Sequence, residues 1–94
     1  MFCVYILYSE ILSSYYIGET EDLRNRIDQH NLGFYVSAFT KKANDWKLYY
    51  FIKCSSRSQA RRIEAHIKRM KSKKYLKDLK RFPEITLKLK SKYV

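Results

Sequence analysis

The sequence predicts a small α/β domain: a three-stranded antiparallel sheet flanked by helices, with elements in the order ββαβααα. Three observations lead there. Short runs rich in β-branched and aromatic side chains occur at residues 3–8, 15–19 and 46–54. Capped segments with apolar residues every three to four positions occupy 20–32 and most of the chain from 57 onward. With 2 Gly and 1 Pro in 94 residues and 46% hydrophobic side chains, the composition is that of an ordered globular chain. That length makes one domain, 1–94, read as a core of about residues 1–70 and a basic helical part of about 71–94.

The first run, CVYILY, puts Cys3, Tyr5 and Leu7 on one strand face and Val4, Ile6 and Tyr8 on the other. Ser9 to Ser14 form a polar turn around Ile11 and Leu12, so the second run returns antiparallel to the first. Thr20 is suited to cap the first helix, with Glu21 and Asp22 in its first turn, where the helix dipole favours negative charge. Leu23 and Ile27 give that helix an apolar stripe, and Arg26 and His30 project together from a neighbouring one. Gly33 fits the left-handed position that ends it. Residues 33–45 read as irregular, anchored by Phe34, Tyr35 and Phe39. In the third run, Leu48 to Ile52 is apolar enough for a central strand.

Ser56 and Gln59 have the spacing of a capping box, and Ala60, Ile63, Ile67 and Met70 form the apolar stripe of the helix that follows. Ser72 is positioned to cap a shorter helix with Tyr75, Leu76 and Leu79 inward. Pro83 interrupts, and residues 84–93 form a last helix around Ile85 and Leu89.

Several classes are disfavoured. No apolar run approaches the roughly 20 residues of a membrane span, and the opening MFCVYILY has no basic start, so it reads as a strand and not a signal peptide. Cys3 and Cys54 lie in predicted strands without metal-ligand spacing, as buried reduced thiols of a cytoplasmic protein do. Charge is more informative. Residues 1–56 hold six Lys/Arg against six Asp/Glu, whereas residues 57–94 hold fourteen against three and so carry the whole net charge of +11. Such a block implies a polyanion partner, nucleic acid ahead of an anionic membrane surface, or else a merely well-solvated helical face. Arg61, Arg62, Lys68, Arg69, Lys71, Lys73 and Lys74 are the candidate contacts to nucleic-acid phosphates.

The chemistry-bearing residues come in a fixed order. Val4-Tyr5-Ile6-Leu7 precedes Tyr16-Ile17-Gly18; Arg26 and His30 follow on the first helix, and Glu64 lies in Glu-Ala-His-Ile-Lys on the second. This set resembles the signature of the GIY-YIG nucleases, and the resemblance covers most of the chain. In the first half, Cys3-Val4-Tyr5 keeps only the tyrosine. The resemblance implies an endonuclease that hydrolyses DNA phosphodiester bonds with one Mg²⁺ or Mn²⁺. It makes Tyr5 the residue that activates or orients the attacking water. Tyr16 would contact the scissile phosphate or a water on the metal, and Arg26 would stabilise the transition state. His30 would hydrogen-bond phosphate or a tyrosine, Glu64 would hold the metal, and Gly18 would let the backbone turn tightly.

The residue types suit those roles. A tyrosine with its ordinary pKa of about 10 needs a nearby cation to act as a base. Arginine's fork matches phosphate oxygens, and magnesium accepts one or two protein carboxylates together with waters and substrate phosphate. With no recognition module beside the core, little sequence specificity is expected, and a preference for nicked, flap or branched DNA instead. Plainer readings exist for each residue: strand aromatics for Tyr5 and Tyr16, an Asp22 partner for Arg26, a dipole-favoured helix end for His30, and a Lys68 partner for Glu64. They add up to the alternative of a catalytically weak nucleic-acid-binding module using the basic helices 57–94.

Overall fold

β1 (Cys3–Ser9) is the strand on which the rest is assembled. It pairs antiparallel with β2 (Ser14–Thr20) on one side and β3 (Lys47–Lys53) on the other, giving the order β2-β1-β3. Tyr5 stands opposite Gly18 and Phe51, and Ile6 opposite Ile17 and Tyr50. The computed structural model describes residues 1–33 and 39–94. Phe34 and Tyr35 therefore lie outside the described residues.

Both faces of β1 are buried, because helices cover the sheet on both sides. Val4 and Ile6 point into an aliphatic core completed by Ile52, Ala60, Ile63, Ile67, Leu76, Leu79 and Leu89. Three helices supply that layer: α2 (Arg57–Met70), α3 (Lys73–Arg81) and α4 (Pro83–Lys92). Tyr5 and Leu7 point the other way, into a smaller cluster with Trp46. Leu23 and Ile27 of α1 (Leu23–Leu32) cover it, beside a 3₁₀ turn at Thr40–Lys42.

Several expectations change at the level of single residues. The central strand is β1, not the apolar run of β3: β3 is an edge, with Leu48 and Phe51 each 41% exposed. Leu48 sits at the rim of α1 beside Leu23 and Ile27, so its hydrophobicity serves a half-covered face. Asp22, not Thr20, caps α1 by accepting from the Asn25 N–H at 3.1 Å. Thr20 instead accepts from the Asp22 N–H, turning the chain out of β2. Ser56 caps α2 as expected, but Gln59 reaches back to the N–H of Ser55. Met70 is 45% exposed, because α2 ends there and the chain turns away at Lys71. Cys54 falls one residue beyond β3; both cysteines are buried and unbridged. Ser72 caps α3, Gly33 ends α1 in the left-handed conformation, and Pro83 opens α4. Among the described residues no helix is long and apolar enough to cross a membrane.

Candidate active site

Tyr5 can lie where it does because its neighbour across the ladder has no side chain. A Cβ on Gly18 would stand 2.6 Å from Tyr5 Cζ and collide with the Tyr5 hydroxyl. The backbone of Gly18 does not adopt positive φ, so the expected tight turn is replaced by a different role: glycine makes room for a ring.

The Tyr5 side chain is 1% exposed, and its hydroxyl lies 3.0 Å from His30 Nε2. His30 Nδ1 lies 3.2 Å from Thr40 Oγ1, and the Trp46 indole N–H donates to the Thr40 carbonyl at 3.0 Å. Asn31 clamps the same tryptophan, its Oδ1 accepting from the Trp46 N–H at 2.7 Å and its Nδ2 donating to the Trp46 carbonyl at 3.0 Å. The Arg26 guanidinium also hydrogen-bonds the Tyr5 hydroxyl. Guanidinium can only donate, so Tyr5 accepts from Arg26. The arrangement that leaves no buried proton unpartnered has Tyr5 donating to Nε2 and His30 Nδ1–H donating to Thr40.

The protonation states agree with that chain. Burial pushes the Tyr5 hydroxyl well above the ordinary phenol range, with Tyr16 and Glu64 adding to the effect and Arg26 opposing it. Burial, seconded by the Arg26 charge, lowers His30 to about 4. A phenol therefore faces a neutral imidazole at neutral pH. His30 is 1% exposed, so the dipole-favoured, charged helix end does not describe it.

Tyr16 is half-buried and meets the His30 ring edge-on, with centroids 5.0 Å apart and both Tyr5 and Trp46 at 6.4 Å. Glu64 approaches from the opposite layer. Its carboxylate is 18% exposed, lies 2.8 Å from Lys68 Nζ, and its charge is felt at the Tyr5 hydroxyl. Arg26 on α1 and Glu64 on α2 thus act on one hydroxyl from the two sides of the sheet, next to Gly18 of an outer strand.

The model of the GIY-YIG catalytic domain matches residues 1–77, more than half of the chain. The chain belongs to the GIY-YIG family. No curated protein and no solved structure matches it. The matched span runs from β1 into α3, so α4 stands outside it. GIY-YIG nucleases act on nucleic acid and generally use divalent metal ions.

Among the described residues no group of three or more His, Cys, Asp or Glu is gathered to hold a metal. A closed protein cage is therefore absent from that part of the molecule. Among the described residues Glu64 is the carboxylate whose charge reaches the Tyr5 hydroxyl, and one such group fits a magnesium-type ion completed by waters and substrate phosphate. Lys68 now neutralises that carboxylate, as its plainer reading anticipated.

Arg61, Arg62, Lys68, Arg69, Lys71, Lys73 and Lys74 are all exposed. Some are partly engaged: Arg61 with Glu19 at 3.8 Å, Lys74 with Asp78 at 3.0 Å, and Lys73 with the Ser13 carbonyl at 3.3 Å. Sequence reasoning missed Thr40, which closes the site from a segment without periodicity, it read Trp46 as the start of the third strand although β3 begins at Lys47, and it missed Glu19. One Glu19 oxygen is buried without a hydrogen-bond partner, beside Arg61 one turn before Glu64.

Proposed function

We propose that the protein is a GIY-YIG endonuclease that hydrolyses DNA phosphodiester bonds with the help of one Mg²⁺ or Mn²⁺. The observation that carries this reading is the convergence of Arg26, His30 and the Glu64 charge on the buried Tyr5 hydroxyl. Arg26 would offer its fork to the phosphate oxygens as charge develops on them. Half-buried Tyr16 would contact the scissile phosphate or the attacking water. Tyr5, held as a phenol, would take a proton from that water while passing its own to His30 Nε2. The O–H bond of water breaks as its oxygen bonds to phosphorus, the phenol is regenerated and the imidazole holds the proton transiently. The P–O bond to the leaving oxygen breaks, and that oxygen takes a proton from solvent water. His30 is thus a positioning and accepting group, not a phosphate ligand. Glu64 would hold the metal, which when bound neutralises charge on the phosphate.

The exposed cations of α2 and α3 support contact with the DNA backbone, and such contacts carry no sequence information. Low sequence specificity follows from that, and a preference for nicked, flap or branched DNA is the substrate choice we propose with it. Two buried free thiols support action in the reducing cytoplasm. A second reading, a nucleic-acid-binding module with weak catalysis, is favoured by the Glu64–Lys68 pair at 2.8 Å, which already satisfies the carboxylate.

The deciding experiment incubates single-stranded, duplex, nicked, flap and branched DNA with the protein in Mg²⁺, Mn²⁺ or EDTA, beside Glu64→Ala. The nuclease reading expects metal-dependent cleavage that disappears in the variant while binding persists. Salt-sensitive binding without cleavage in any metal would leave the binding module.

A further inference from the structure

A groove of about 250 Å³ begins next to the site, between the start of β2 and the corner joining α2 to α3. Its lining joins apolar and aromatic side chains, Tyr15, Ile17 and Phe39 among them, to three cations, Lys68, Lys71 and Lys73. No acidic side chain lines it among the described residues. One of its residues touches the catalytic set directly, since Lys68 pairs with Glu64, and Tyr15 lies on β2 on the sheet face opposite Tyr16. Lys73 ties its far end to the β1–β2 turn through the Ser13 carbonyl.

Lys71 gives a second, independent observation. It ends α2 at φ 46° and ψ 44°, a left-handed conformation that glycine adopts freely and lysine holds under strain. A lysine that lines the groove with its backbone under strain has the pattern of a residue kept for its charge.

We propose that this groove holds one unpaired nucleotide of the substrate strand, with its phosphate on Lys68, Lys71 and Lys73 and its base against Tyr15 and Phe39. The proposal rests on the nuclease reading and deepens it: the preferred substrates carry an unpaired strand beside the cleavage point. A cleft of this volume admits a base with its sugar and excludes a duplex, and an aromatic lining accepts any base by stacking.

The test is binding in EDTA, where metal-dependent cleavage cannot contribute. The probes are a single-stranded oligonucleotide containing 2-aminopurine and a blunt duplex of the same sequence. Lys71→Gly should melt no lower than the parent protein, because glycine relieves the left-handed strain. It should weaken single-strand binding about fivefold at 0.1 M salt, as loss of one phosphate contact predicts, and weaken duplex binding less. Lys73→Ala should do the same, and Phe39→Ala should lift the 2-aminopurine quenching. Equal losses for the two probes, no loss for either, or quenching untouched by Phe39→Ala would overturn the groove. A chain without nuclease activity can pass this test and an active nuclease can fail it, so the two readings fall separately.

Discussion

The two faces of β1 use one strand for two kinds of packing. On the Val4–Ile6 face, nine-tenths or more of every buried core side chain is hidden, and the buried partners are mainly aliphatic groups fitted by shape, with tyrosines packed around them. On the Tyr5–Leu7 face the partners are polar and specific: a guanidinium, an imidazole, a threonine hydroxyl and an indole N–H joined in one chain. Buried networks of that kind tolerate little change, since each unpaired group costs roughly 1–3 kcal/mol. Alternation along a single strand thus sets an aliphatic core against a polar chain, and the Glu64 charge reaches that chain from the α2 side of the sheet.

That contrast can be broken from either side. The largest effect is expected on the aliphatic face, where Ile63→Ala should cost about 2–5 kcal/mol in urea unfolding while cleavage per folded molecule stays unchanged. A fall in cleavage at full folding would erase the distinction. Next comes Arg26→Ala on the other face, expected to slow cleavage about 10²–10³-fold with most DNA affinity retained.

Acid sharpens the contrast further. His30 titrates near 4 in the folded protein against 6.5 when free, so the unfolded chain binds more protons between those values. Its contribution is complete above pH 6.5 and is lost as pH falls towards 4, at most about 3 kcal/mol. His66, also lowered by burial, acts in the same direction. Urea unfolding at pH 7.5 and pH 5 should differ accordingly, and His30→Gln should flatten the difference. The smallest effect is that of Gly18→Ala, costing about 1–3 kcal/mol by displacing the Tyr5 ring and lowering cleavage more than stability. Unaltered cleavage would remove the Tyr5 position from the account.

Much of this division was legible in the sequence. The order ββαβααα, the caps at Ser56 and Ser72, and the shared face of Tyr5 and Leu7 follow from local chemistry and strand periodicity. The family signature brought Tyr5, Tyr16, Arg26, His30 and Glu64 together before any coordinates did. What escaped depends on pairing across the chain. An apolar run such as Leu48 to Ile52 reads alike whether its strand is central or half-covered at an edge, and only the sheet order decides. Gly18 reads as a turn residue until the register sets Tyr5 against it. Thr40 reads as an ordinary loop residue and Trp46 as the first residue of a strand until His30 and Asn31 meet them.

The proposed phosphodiester hydrolysis at the Tyr5 hydroxyl depends on the Glu64 charge that reaches it from α2. Glu64→Gln tests that dependence most directly, because the amide keeps the shape of the side chain and removes its charge. Cleavage of a branched DNA in Mg²⁺ and affinity for the same DNA in EDTA should be measured on both proteins. Cleavage should be at least about 100-fold slower in the variant with affinity essentially unchanged. Equal cleavage by the two proteins, or none by the parent chain, would contradict it.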